Sequence, residues 1–278
     1  MKKLWFFVVP IALVLILVKF QGASAKPLQT VPGFTYKGKN TQGYSEYTHT
    51  KTGIVFVGLP GGQFWMGSPP NETGRLRDEK LHKVSLSPFL VAKYEVTQAQ
   101  WKKIMGKNPS FFRGDDHPVD NINWTETQRF VKASGLMLPT EAQWEYACRA
   151  GSSEMFSPSD LNQAGWYDAN SGKKTHPVGQ KKPNRFGLYD MHGNVSERCR
   201  DVYDAGFYSK PAASGKDPVN RSGKTLPDPR YVIRGGRCAT NMLNCRAAHR
   251  DNLWFPDAEN PRIDANWFTG FRVVYNLR

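Results

Sequence analysis

What the sequence has little of narrows it first. Only four cysteines, Cys148, Cys199, Cys238 and Cys245, occur in 278 residues, and no two form a CxxC pair. Zinc-ribbon and thioredoxin-type chemistry are therefore excluded. Four Cys allow three disulfide pairings, and the sequence does not choose among them. No GxSxG elbow is present, so hydrolysis built on that turn is unsupported. The histidines are scattered rather than clustered. His82, His117 and His176 each neighbour a strand or a proline and read as structural. No repeat at roughly 20–50 residues is visible, which removes solenoid architectures.

Long apolar runs are also missing, apart from Leu4–Val18 near the start. Lys2 and Lys3 precede that run, Lys19 closes it, and Ala23-Ser-Ala25 supplies small residues for a signal peptidase. The run is shorter than the ~20 residues that span a bilayer. Residues 1–25 thus read as a cleaved secretory leader, and no Cys follows to carry a lipid. An exported protein, periplasmic or secreted, with no membrane span after cleavage is expected. Such a compartment permits disulfides.

Acidic residues are scarce beside basic ones: 24 Asp+Glu against 38 Lys+Arg, a net charge of +14. That balance favours anionic partners such as glycans. Export, and the lack of a recognition helix or zinc-finger spacing, argue against nucleic acid. With 39% hydrophobic and 13% aromatic residues, the chain has the means to build a folded core.

What is present reads as short strands, three helices and long loops, an α+β pattern. Residues 26–52 read as a polar tether and 53–278 as one domain. Gly53–Leu59 alternates as a strand; Pro60-Gly-Gly62 is expected to turn it into a hairpin with Gln63–Met66. Two strand signals flank Pro88. Three helix starts follow as capping boxes: Thr97 with Gln100, Asn123 with Glu126 and Thr140 with Gln143. The second is expected to stop at Gly135 and the third at Gly151. Residues 152–183 and 204–229 read as loops, and Tyr231–Arg234 and Phe271–Tyr275 as closing strands.

The chain centres on Gly187–Asp201, GLYDMHGNVSERCRD. Asp190 and Glu197 flank a Gly193-Asn194 turn, an arrangement that gathers carboxylate and carbonyl oxygens suited to calcium. GLYDMHGNV resembles the signature of the formylglycine-generating enzymes, or sulfatase-modifying factors. The resemblance extends to Pro60-Gly-Gly-Gln-Phe-Trp-Met-Gly-Ser68, Tyr94-Glu-Val-Thr-Gln98, His117-Pro-Val-Asp120, Leu138-Pro-Thr-Glu-Ala-Gln-Trp-Glu-Tyr146, Arg234-Gly-Gly236 and Gly270-Phe-Arg-Val-Val274. It implies a C-type-lectin-like fold. It also implies calcium held by side chains of Asp190 and Glu197 and carbonyls of Gly193 and Val195. A second calcium site of the family is expected to be missing or degraded in the shortened Asn170–Lys174 segment.

The implied activity is copper- and dioxygen-dependent oxidation of a sulfatase cysteine to formylglycine, with a sulfatase polypeptide as partner. Two thiolates, four and nine residues after the paired glycines, hold Cu(I) in that family, because soft ligands select it. Here the ninth residue is Cys245 but the fourth is Thr240. Cys238 lies only two residues after Gly236, and Arg237 stands where the family has Ser. Cys238 and Cys245 are thus the candidate copper ligands, and a disulfide or two buried thiols is the structural alternative. Ser196-Glu-Arg198 replaces the family's Trp-Glu-Trp.

A competing expectation is a non-catalytic module. The departures Ser196, Arg198, Arg237, Cys238, Thr240, His249, Asp251 and Leu253 gather around a kept framework. They resemble the diversified ligand-binding surface of variable proteins with this fold, whose partner would be an unknown protein or an anionic glycan. The Asn, Asp and aromatic content of residues 241–266 suits adaptable polar recognition.

Overall fold

The computed structural model describes residues 30–224, 229–253 and 267–277. The expected leader, and residues 254–266 of the Asn-rich loop, lie outside them. Among the described residues no helix is long and apolar enough to cross a membrane.

The fold is α+β, with three sheets. The first is five-stranded, order β1-β2-β3-β6-β12, from β1 (Phe34–Lys39), β2 (Ser45–His49), β3 (Val55–Leu59), β6 (Phe89–Ala92) and β12 (Val274–Asn276). The second joins β10 (Asp251–Leu253), β9 (Tyr231–Arg234), β7 (Ser196–Val202) and β11 (Thr269–Gly270) in that order. The third holds β4 (Gly62–Met66), β5 (His82–Leu86) and β8 (Gly215–Lys216).

Two expectations are corrected here. The segment read as a tether carries β1 and β2, paired antiparallel and continued by β3. Its polarity misleads because β1 is an edge strand with alternately exposed residues, and one apolar face is enough to dock it. Pro60-Gly-Gly62 does not close a hairpin, since β3 pairs with β2 and β6 while β4 pairs with β5. The turn hands the chain from one sheet to another. Gly61 has φ +70°, and a Cβ there would lie 2.3 Å from the Leu86 carbonyl oxygen, so only glycine fits.

The three capping boxes form as read, on α1 (Gln98–Met105), α2 (Trp124–Ser134) and α3 (Glu141–Arg149), each closed by both reciprocal bonds. Each such cap is worth about 1 kcal/mol. Left-handed Gly106 and Gly135 end the first two helices. The third ends one residue early, on Ala150 at φ 47°. A single-turn α4 (Leu161–Ala164) interrupts the following loop.

The helices pack inward. Trp101 on α1 stacks on Phe130 of α2, with ring centroids 5.4 Å apart and 4° between planes, and both are buried. Every residue of α3 is buried, including Glu141, Glu145 and Arg149. A helix buried all round that carries charges must have them paired, and this requirement shapes the site.

Candidate functional site

β9 ends in the paired glycines. Gly235 and Gly236 have φ +94° and +70°. A Cβ on Gly236 would sit 2.6 Å from Cys245 Sγ, so the bare backbone lets the Met242–Cys245 turn pack against the strand end.

Behind this turn lies a block of buried guanidinium–carboxylate pairs. Arg234 donates to Glu145 and to the carbonyls of Ala247, Ala248 and His249. Arg246 grips Glu79 at 2.6 and 2.8 Å and Glu72 at 2.7 Å. Arg250 forks onto Glu141 at 2.8 and 3.0 Å, and Arg272 onto Glu197 at 2.6 Å twice. The pKa of Glu141 falls below the usual range although burial pushes it up, because the Arg250 and Arg234 charges prevail. Glu79 falls likewise against Arg246. No local pattern in the sequence marks these pairs, since the partners lie up to 174 residues apart.

In front of the turn is a small cleft lined by Ser196, Arg237, Thr240, Asn244, His249 and Asp251. Its volume is about 10 Å³, room for roughly one water molecule. Thr240 Oγ1 accepts from the Arg237 amide and donates to the Arg237 carbonyl, both at 3.0 Å. The Cys245 thiol reaches the Asn241 carbonyl at 3.7 Å. His249 Nε2 meets Asn244 Nδ2 at 3.2 Å. Ser196 is buried and donates to the Gly236 carbonyl at 3.0 Å. Arg237, Thr240 and Asp251 are the predicted residues that reach solvent.

Arg198 does not belong to this surface. It is fully buried, donates to the Ile122 carbonyl at 2.6 Å, and burial lowers its pKa to about 9. A departure from the family motif does not make a surface residue here, because β7 is buried on both faces except at Arg200.

All four cysteines are buried thiols, so the disulfide alternative is not realised. Cys245 packs with Phe156 and Leu161, and burial pushes its thiol up to about 12. Cys238 lies outside that cluster, and burial raises its thiol as well. A copper-binding pair needs two thiolates on one ion. Thr240, whose hydroxyl is engaged by the Arg237 backbone, stands where the family's first thiolate would be, and a hydroxyl is a poor Cu(I) ligand. These residues do not fit Cu(I), and no oxidative step is derived from them.

The Gly187–Asp201 loop is built as a turn, with positive φ at Asp190, Gly193 and Asn194. A Cβ on Gly193 would lie 2.1 Å from the Trp166 carbonyl oxygen, which takes the Asn194 amide at 2.8 Å. The expected calcium residues fare differently. Glu197 has both oxygens engaged, by Arg272 and by the Trp144 indole at 2.8 Å. Asp190 accepts from the Gly179 amide at 2.7 Å on one oxygen, and its buried Oδ1 has no partner. Burial pushes the Asp190 carboxyl up to about 6. Among the described residues no group of three or more His, Cys, Asp or Glu could hold a metal. Asp190 fits a hard cation; Glu197 sits as a structural anion.

Sequence reasoning missed Glu95. It is buried, takes the Val195 amide at 3.0 Å and the Asn194 side chain at 2.7 Å, and so clamps the loop. Burial and nearby Asp190 and Glu197 hold its pKa well above the usual range. Its position in the quoted Tyr94-Glu-Val-Thr-Gln98 motif was the available signal. His192 was missed too. Its Nδ1 donates to the Cys245 carbonyl at 2.8 Å and its Nε2 accepts from the Ser157 amide at 2.9 Å. Burial lowers its pKa to about 4, so it is a neutral strut.

Fold and site together define a lectin-like α+β scaffold with an interior of paired charges and a nearly closed cleft at its glycine turn. Residues 42–277 match the sulfatase-modifying factor enzyme 1-like domain, and the chain belongs to that family. The match begins inside the segment read as a tether. The chain is 33% identical over 176 residues to the chaperone protein LppX of Paenibacillus barcinonensis, covering 42% of this chain and 63% of that protein. It is 32% identical over 182 residues to the formylglycine-generating enzyme of Mus musculus, covering 58% and 49%. The chain thus spans about half to two-thirds of the length of these curated relatives. Among solved structures, variable protein 1 of Treponema denticola superposes with a TM-score of 0.69 at 26% identity, covering 84% of this chain and 99% of that one.

Proposed function

We propose that this protein is an exported, non-catalytic member of the family that binds a ligand on the face carrying Arg237, Thr240, His249 and Asp251. The observation that carries the reading is Thr240, bonded to the Arg237 backbone beside the Cys245 turn, at the position where the enzymes place a second thiolate. A cleft of about 10 Å³ also suits a contact surface better than a buried substrate peptide. The match to a variable protein over nearly its whole length supports the same reading. The apolar run Leu4–Val18 supports export. Calcium enters as a structural ion at Asp190, with the carbonyls of Gly193 and Val195 as further candidate ligands. There it would neutralise an acid that otherwise lies close to Glu95 and Glu197.

The test is copper titration followed by mass spectrometry of a cysteine-containing sulfatase peptide. No copper uptake and no aldehyde are expected. Aldehyde formed by the wild type and lost in Cys245→Ser would restore the oxidase. Thr240→Cys sharpens the outcome: if the missing thiolate is the only defect, that variant takes up copper where the wild type does not.

A further inference from the structure

We propose that a second binding site lies at the far end of the β7–β9 pair, in a cleft that takes an acidic saccharide unit. The pair is antiparallel, with Glu197 opposite Arg234 near the glycine turn and Val202 opposite Tyr231 at the other end. Beside that second end is a cleft of about 410 Å³. Small-molecule sites typically occupy ~300–1,000 Å³.

Its chemistry is one-sided. Arg200, Arg221 and Lys224 line it, and among the described residues no acid does. Aliphatic side chains from α2, the following turn and β7 form the walls. Trp124 and Tyr231, stacked at 3.5 Å with 14° between planes, contribute aromatic surface, and Gln128 adds an amide. A ring with an apolar face, hydroxyls and one negative group satisfies all of these elements.

Arg200 is the residue that makes this more than a basic surface. The β7–β9 register breaks between Arg198 and Val202, and such an irregularity re-aims a side chain. Arg200 is the one residue of β7 that is not fully buried. Among the described residues its shielded Nε has no hydrogen-bond partner, and its Nη1 reaches Met137 Sδ at 4.0 Å. The acids nearest in sequence and space face elsewhere. Asp201 accepts the Glu141 and Asn220 amides at 2.8 Å each. Asp217 takes the Ser87 amide and hydroxyl at 2.7 Å each. A guanidinium that makes no ion pair among the described residues, in a half-enclosed cleft, is a receptor for a carboxylate or sulfate.

The test is calorimetric titration of the purified chain with a digalacturonate, a sulfated chondroitin disaccharide, lactose and sodium sulfate. One or both acidic disaccharides are expected to bind at least about tenfold tighter than lactose and than sulfate alone. The carboxylate and sulfate arms identify which anion the cleft prefers. Arg200→Met is expected to weaken binding about tenfold or more, and Arg221→Gln by less. Arg237→Ala, on the glycine-turn face, should leave it unchanged. Lactose or free sulfate binding equally well, or no binding by either acidic sugar, overturns the proposal. So does undiminished binding in Arg200→Met. Should Arg200→Met not fold, the double variant of exposed Arg221→Gln and Lys224→Gln replaces it, and undiminished binding there is equally fatal. Loss on Arg237→Ala would instead assign the sugar to the other face, so failure here and failure of the glycine-turn reading remain distinct.

Discussion

The two sides of the glycine turn are built on opposite principles. Behind it, Arg234, Arg246, Arg250 and Arg272 are buried and each is matched to a carboxylate by short, mostly paired bonds. In front of it, Arg237, Thr240 and Asp251 reach solvent and bond mainly to backbone within a few residues. A buried pair is unforgiving, because losing one member strands a charge in a medium that cannot solvate it. A surface residue with local bonds is replaceable. The scaffold therefore tolerates change on one side of a single turn and almost none on the other, as a family that keeps its framework while altering its function requires.

The largest test of the contrast is Glu197→Gln. Arg272 would keep its hydrogen bonds in part but lose its counter-ion, and about 3–5 kcal/mol of stability should go with it. The midpoint of urea unfolding measures this. A loss below about 1 kcal/mol would mean that the pair is solvated and the interior far softer than its geometry implies.

Next in size is the pH dependence contributed by Asp201. Burial, joined by the charge of Glu141, pushes this carboxyl up to about 7. A folded value above the unfolded one means that its contribution is full below about pH 4 and is lost as pH rises to about 7. Glu141 and Glu79 act in the opposite sense: their lowered values give stability above about pH 4.5 that is lost as pH falls further. Asp201→Asn should therefore flatten the decline between about pH 4 and 7, by a few kcal/mol, while leaving the acid limb in place. Identical wild-type and variant curves across that window would show Asp201 ionised in the fold.

A smaller effect is expected from calcium. Excess chelator should lower the melting temperature by several degrees, the amount a site about 100-fold above its dissociation constant contributes. Asp190→Asn should abolish the difference. An unchanged wild-type melt would leave the loop held by Glu95 alone.

How far the sequence foretold this division depends on the range of the interaction. The capping boxes at Thr97, Asn123 and Thr140 were legible because cap and partner stand three residues apart. The family motifs located the glycine turn and the Asp190 loop. The hairpin expected at Gly61-Gly62 failed because a turn sequence fixes the bend but not the sheet that receives the next strand. The tether failed because an edge strand needs so little apolar content. Arg198 was misplaced because a departure from the family motif says nothing of burial, and β7 is buried on both faces at that position. Glu197 illustrates the limit most directly. Its spacing from Asp190 suggested a shared cation, yet Arg272, 75 residues away in sequence, holds both its oxygens. No local pattern carries that information.

The smallest predicted effect bears most directly on function. Arg237→Ala and Asp251→Ala should each change unfolding stability by no more than about 0.5 kcal/mol, the range usual for surface substitutions away from special features. Arg237 is half-buried, but its described bonds run through its backbone to Thr240 and weakly from its guanidinium to the Trp267 carbonyl, at 3.4 Å. Asp251 is exposed and bonds to the next amide in the chain. If either substitution costs several kcal/mol, the front of the turn supports the scaffold as heavily as the back does, and a face free to diversify is not available there. If both are neutral, these side chains are free of structural duty, and their energetic role is left to whatever binds the surface.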